Sequence, residues 1–484
     1  MKNITGKNLS INNQTLMLII VGSVIMYLFF ISKQFIGDDW LWLANAKKAF
    51  DNPEIFFQRP MYGYLRPLNM FIIFIWQNIF GENAYIFSLI NILLHASNIW
   101  LLWKVLKKFG VSEKVCNLSA LIFGFYYLNS SALLWISVGH DLWVTMLSLL
   151  FTLKMIDLIE RPQILNFIIV FLIGIAATLI KESGFVTIGL FFLLLILKRK
   201  NPLSKEFRLY SIFIILIYLI YIIMYFITRT YADKKLVIGL ETIMNLWYFI
   251  IYIIFPLSKR FAAIIPEGML WAVKAIKITA TLAAPLVLFY AFKKGGNALK
   301  YFILWSVMFI STIIIFDWNL GLFDLYPGKT ASRFMYSVIP GFSVVISWLI
   351  INVIWARFKF LNKKSIMIIM VILFISGNFL IIKKVSNIFI YKQNITNEIL
   401  DSLYGITDNL KKSDILIILT KDIESAFIVL PSEIHIEAMI FVKFNKLIDV
   451  QVKEVSQYKS NAIGYSDRVM TLGWDIKSNK MVTH

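Results

Sequence analysis

The feature that most constrains this chain is a recurrence. Solid apolar runs of roughly 17–25 residues, the length that crosses a bilayer as a helix, repeat from Leu16 to about Ile382. Strands of a spanning barrel alternate apolar and polar residues, so solid runs read as helices. With 59% of 484 residues hydrophobic, 16% charged and a mean hydropathy of +0.74, no soluble core could absorb the apolar side chains. The expected fold class is an all-α polytopic membrane protein of about eleven transmembrane helices.

Charge orders those helices. The net charge of +20 resides largely in clusters at Lys104, Lys107, Lys108 and Lys114; Lys198, Arg199, Lys200, Lys205 and Arg208; Lys293, Lys294 and Lys300; and Arg357, Lys359, Lys363 and Lys364. No soluble basic domain for nucleic acid is visible, and the positive-inside rule accounts for the excess. With every cluster on the cytoplasmic face, the spans fall near 16–32, 84–103, 115–134, 141–159, 163–180, 184–198, 209–228, 273–292, 299–316, 334–355 and 365–382. The amino terminus is then inside and the carboxyl terminus outside. Two apolar stretches, 68–80 and 241–257, would invert later clusters if they crossed. Their Trp76, Trp247 and Tyr248 suit helices lying in the outer interface.

Lys2 and Lys7 precede the first span and no small-residue cleavage site follows it, so it is expected to stay as an anchor. The lone Cys116 excludes an internal disulfide. The expected domains are a transmembrane catalytic domain over 1–382, with a first outer loop at 33–83, and a small α/β or α+β extracytoplasmic domain over 383–484. In the latter, "KSDILIILTKD" and "EIHIEAMIFVKFNKLIDVQVKEV" read as short strands and a helix.

This topology gathers the remaining ionisable side chains on the outer face. They are Asp38, Asp39, Arg59 and Arg66 in the first loop, His140 and Asp141 opening the fourth span, Lys181 and Glu182 in a tight turn, and Asp317, Asp324, Lys329 and Arg333 before the tenth. Each has a plain role: Asp38–Asp39 and His140–Asp141 as helix caps, Arg66 and Arg333 snorkelling to lipid phosphates, and Lys181–Glu182 as a turn pair. Together they suit chemistry on a lipid-borne substrate. A carboxylate can act as general base toward an acceptor hydroxyl, and an arginine fork can hold a phosphate. The reaction so assembled is displacement at an anomeric carbon with polyprenyl phosphate leaving.

At these residues the chain resembles a family. "FIGDDWLWLAN", "YLRPLNMFIIFIWQNIFG" and "NAYIFSLINILLHASNIWLL" are similar to the start of protein O-mannosyltransferase-like enzymes, membrane glycosyltransferases of the GT-C superfamily that use polyprenyl-phosphate sugars. The resemblance implies that Asp38 and Asp39 carry the base. It matches Arg66, Pro67 and Leu68 to the entry of an interfacial helix, and Asn91 and His95 to an Asn/His pair that plain inter-helix hydrogen bonds would also explain. "WISVGHDLWVTML" gives Asp141 as second acid, and "TLIKESGFVTIGL" gives the Lys181–Glu182 turn. "SRFMYSVIPGF" gives Arg333 and Tyr336 for the donor phosphate.

It covers most of 30–200 and a patch at 333–342. Ser332 stands where an acid often precedes the arginine, the tetratricopeptide array of some relatives is absent, and the tail matches nothing in the family. The implied catalytic residues are Asp38, Asp39 and Asp141. Arg333, Lys181, Arg66 and Tyr336 would bind the donor, and His140, Glu182, Arg59 and His95 would support the acceptor. No metal and no cofactor beyond the donor substrate are expected, and no nucleic acid. The partners are a polyprenyl-phosphate sugar, membrane lipids and a glycan, lipid or protein acceptor. The expected setting is a bacterial cytoplasmic membrane with the site on its extracytoplasmic face. A flippase or transporter of lipid-linked sugars, or a glycan polymerase, is the alternative.

Overall fold

The computed structural model describes residues 5–57, 65–198, parts of 207–222, 239–254, 270–314, 334–357, 363–404, 415–420, 432–454, 469–475 and 480–483. Its helices are α1 (Thr5–Leu28), α2 (Asp38–Asp51), α3 (Pro67–Phe80), α4 (Ala84–Lys108), α5 (Glu113–Phe125), α6 (Ser130–Leu134), α7 (Gly139–Glu160), α8 (Ile164–Ile180) and α9 (Val186–Lys198). There follow α10 (Leu240–Ile254), α11 (Leu270–Lys294), α12 (Asn297–Ile314), α13 (Ile339–Leu349) and α14 (Lys363–Tyr404). The chain ends in strand β1 (Ile415–Thr420), helix α15 (Glu433–Phe444) and strands β2 (Asp449–Glu454), β3 (Val469–Asp475) and β4 (Lys480–Thr483).

Among the described residues, five helices are long and apolar enough to cross a bilayer: Ala84–Lys108, Ile136–Glu160, Asn297–Ile314, Ile339–Arg357 and Ser365–Tyr404. The chain is therefore a largely helical, multi-pass membrane protein. Helix length alone does not reach the eleven crossings expected. The expected span at 184–198 is a helix of 13 residues, about 20 Å against a hydrocarbon core of about 30 Å. The stretch 209–228 lies partly outside the described residues. The two expected interfacial stretches are also short: α3 has 14 residues and α10 has 15.

Contacts divide the chain into two compact units. One comprises 1–29, 91–133 and 138–382; the other comprises 30–90, 134–137 and 383–484.

In the first unit the expected span at 115–134 is broken. Helix α5 stops at Phe125, Tyr126 is extended (φ −71°, ψ 124°), and a 3₁₀ turn covers Tyr127–Asn129 before α6 begins. A break in an apolar segment frees backbone groups that lipid cannot satisfy. Side chains satisfy them here. The Gly124 carbonyl accepts the Ser23 hydroxyl at 2.8 Å and His95 Nε2 at 3.2 Å. The Tyr126 carbonyl accepts the Tyr27 hydroxyl at 3.3 Å, and the Phe123 carbonyl accepts the Asn129 amide at 2.5 Å. The Tyr127 N–H donates to Asn378 Oδ1 at 2.8 Å.

The second unit is built around a four-stranded sheet of order β2-β1-β3-β4, parallel except for the antiparallel β3–β4 pair. In the central strand Leu416, Ile417 and Ile418 are all buried, as a strand covered on both faces requires. Helix α15 packs on α2 and on β2, and one apolar core joins Trp40, Leu41 and Met70 to Ile436, Met439 and Leu416. The edge strand β2 has its outward amides occupied: Val450 N–H donates to Glu437 and Val452 N–H to Glu433. Edge amides otherwise invite another chain. Residues i and i+4 on a helix line up with every second residue of a strand, which is why two glutamates suffice.

Candidate functional site

The acid pair begins α2. Gly37 precedes it at φ +50°, a left-handed conformation that L side chains avoid. That turn lets two adjacent aspartates start one helix while facing different partners. Asp39 is buried, 2% exposed, and its carboxylate bridges two segments. Oδ2 accepts the Ile36 N–H at 2.9 Å, and Oδ1 accepts the Ser137 N–H at 2.6 Å. Burial pushes its carboxyl up to about 7, against the lowering effect of these donors, with the neighbouring Asp38 adding to the rise.

Asp38 is only half-buried, with 21% of its side chain exposed. His435 Nε2, from α15, lies 3.0 Å from its Oδ1, and Ser432 Oγ lies 2.6 Å from His435 Nδ1. The two acids therefore differ in kind: Asp39 ties the main chain together, and Asp38 stays accessible with an imidazole on one oxygen.

His435 did not figure in the sequence reading. The local signal was "SEIH", a serine at a helix start with a polar residue three places on. Its partner lies 397 residues away, so nothing in the local sequence names it.

A second cluster lies in the first unit. At the amino end of α7, Asp141 Oδ1 accepts Lys181 Nζ at 2.6 Å, with 4% and 7% of the two side chains exposed. His140 Nε2 stands 3.4 Å from Asp141 Oδ2. Lys181 closes α8 with an extended backbone (φ −160°, ψ 150°), and Glu182 opens the 3₁₀ turn that follows. Gly184 in that turn packs so tightly on α8 that a Cβ would sit 2.2 Å from the Ala177 carbonyl oxygen. Lys181 Nζ is also 5.0 Å from the centre of the Phe334 ring. The turn after α8 thus approaches the residue next to Arg333, while Arg333 itself and Arg59 lie outside the described residues. Asn91 packs against the start of α7, where a Cβ at Gly139 would lie 2.6 Å from its Oδ1.

Tyr336 and His95, given donor and acceptor roles by the resemblance, bond each other. Both are buried. With His95 Nε2–H donating to the Gly124 carbonyl, Nδ1 accepts the Tyr336 hydroxyl at 2.7 Å. The Asn98 amide donates to that same hydroxyl at 3.1 Å. The Tyr336 hydroxyl is thus engaged between two helical side chains, and His95 serves the break after α5. Arg66 stands at the cap position of α3, half-buried.

Among the described residues, no group of three or more His, Cys, Asp or Glu side chains gathers as a metal site would require.

No protein-family model and no curated protein matches this sequence. Solved structures similar along most of it include these two. One is ArnT from Cupriavidus metallidurans in the apo state, at 10% identity and TM-score 0.49, over 94% of this chain and 92% of that one. The other is the Archaeoglobus fulgidus oligosaccharyltransferase tethered with an acceptor peptide containing the NVT sequon, at 10% identity and TM-score 0.46, over 90% of this chain. This chain spans 64% of that second structure, just under two thirds of its length. At such depths neither likeness decides the fold or the activity of this chain.

Proposed function

We propose that the chain is an inverting membrane glycosyltransferase that moves a sugar from a polyprenyl-phosphate donor to an acceptor hydroxyl at the extracytoplasmic face, with Asp38 as general base. The observation that carries this reading is the division of labour within the acid pair. Asp39 is occupied by two backbone donors, whereas Asp38 keeps an accessible carboxylate at the start of a fixed helix. A general base needs such a group within reach of the hydroxyl it deprotonates.

Asp38 takes the acceptor's proton as the oxygen attacks the anomeric carbon. The bond from that carbon to the phosphate oxygen breaks on the opposite face, and its electron pair leaves with the polyprenyl phosphate. That leaving group is a weak base and needs no second acid, unlike glycoside hydrolysis with its two flanking carboxylates. The donor phosphate is assigned to Arg333, with Lys181 or Arg66 beside it, as the resemblance implies. Asp141 accepts the Lys181 Nζ at 2.6 Å and so holds that side chain in place.

The test is transfer from a panel of radiolabelled polyprenyl-phosphate sugars by purified protein, wild type beside Asp38→Asn. Transfer of one sugar by wild type alone supports the class and the base together. Transfer by both keeps the class and removes Asp38 as base. Transfer by neither, with labelled lipid crossing the membrane, supports the flippase alternative.

A further inference from the structure

The tail beyond residue 383 contributes a side chain to the residue assigned as base. We propose that His435 is a positioning residue for Asp38, held in place by Ser432, and that α15 therefore completes the base; this rests on the reading of Asp38 given above.

Three observations converge. The geometry is a chain of two short contacts, Ser432 Oγ to His435 Nδ1 at 2.6 Å and His435 Nε2 to Asp38 Oδ1 at 3.0 Å. An ionised Asp38 can only accept, so the ring donates from Nε2. In the neutral ring this leaves Nδ1 to accept the Ser432 hydroxyl. The serine thus selects the tautomer that serves the carboxylate.

The second observation is where that hydroxyl does not go. Ser432 is the N-cap of α15, where serine side chains usually accept a backbone N–H of the first turn. Here the side chain makes no such capping bond. Its hydroxyl turns to the imidazole, although the Ser432 carbonyl still accepts the His435 N–H at 2.9 Å.

Third, the pair is partly desolvated and rigidly backed. The His435 and Asp38 side chains are 12% and 21% exposed. Their helices share a core through Trp40, Ile436, Met439 and Ile440. A hydrogen bond from a fixed donor to a charged acceptor in such a place orients the carboxylate rather than merely joining two surfaces.

The experiment is a double-mutant cycle on transfer kinetics in the full chain, with Asp38→Asn, His435→Ala, His435→Gln and the double variant Asp38→Asn/His435→Ala. His435→Ala is expected to lower kcat about 10- to 100-fold, the usual effect of losing a group that orients a reacting one, with the KM for donor unchanged. His435→Gln retains an N–H near Nε2 and is expected to recover kcat to within about threefold of wild type. In the Asp38→Asn background, His435→Ala is expected to change the residual rate by less than about twofold, because the group it positions is gone.

A wild-type kcat in His435→Ala, beside an Asp38→Asn reduced to its residual rate, overturns the positioning role and leaves the base intact. Equal losses in His435→Ala and His435→Gln, repeated in the Asp38→Asn background, overturn it in favour of a purely structural staple. Full activity in Asp38→Asn removes the base itself, and the positioning role with it.

Discussion

Two buried acids, one in each unit, are held in opposite ways. In the second unit, Asp39 is held by the amides of Ile36 and Ser137. Lys47 donates to the carbonyls of Phe441 and Val442, at the end of α15, at 3.2 and 2.9 Å. In the first unit, two side chains receive each other, Asp141 and Lys181. The difference teaches what each arrangement can release. Backbone dipoles cannot move, so Asp39 and Lys47 fasten the fold. A side-chain pair can part when a ligand carries a competing charge, so of the two arrangements only the Asp141–Lys181 pair is separable.

The sharpest way to break this comparison is Lys181→Met. It strands a buried carboxylate and is expected to destabilise the first unit by about 3–5 kcal/mol, read as a fall in the thermal unfolding midpoint in detergent. Adding Asp141→Leu is expected to recover part of that loss. If Lys181→Met leaves the midpoint unchanged, the pair is not an interdependent one.

Asp39→Asn sets an amide where two N–H groups need acceptors, with an expected cost of about 1–3 kcal/mol. It also carries a pH signature. Because the folded-state value is raised from 3.8 to about 7, the folded chain binds more protons than the unfolded chain across that window. Asp39's contribution to stability is therefore full below about pH 4 and is lost as pH rises to about 7. Asp39→Asn is expected to flatten that slope, and an unchanged slope would assign it to other groups. The smallest effect is expected from Lys47→Met, about 0.3–1 kcal/mol, since a cation at a helix carboxyl end is a modest contributor. A loss as large as that of Lys181→Met would erase the distinction between the two arrangements.

The local parts of this molecule were legible and the non-local ones were not. Helical length and apolar runs announced α4 and α7, but α14 runs on to Tyr404 where a span ending at 382 was expected; β1, α15 and β2 fall within the two tail stretches read for them, and β3 and β4 lie beyond both. Adjacent aspartates look alike in a sequence, and their separation depends on Ser137, 98 residues on, and His435, 397 residues on. The break after Phe125 was missed because "YYLN" contains neither Gly nor Pro. Tyrosines and an asparagine break a helix here only because distant side chains receive the freed backbone groups. His95 was read either as acceptor support or as a plain inter-helix hydrogen bonder, and its ring bonds the Gly124 carbonyl and the Tyr336 hydroxyl.

That break also bears on how the chain is made. The residue bonded to the Tyr127 amide, Asn378, is 251 residues further along. At a synthesis rate of about 5–20 residues per second, it emerges roughly 10–50 s later. Throughout that interval the segment from Glu113 to Leu134 lacks a partner it needs in lipid. A chain truncated before Asn378 leaves the Tyr127 amide without that acceptor.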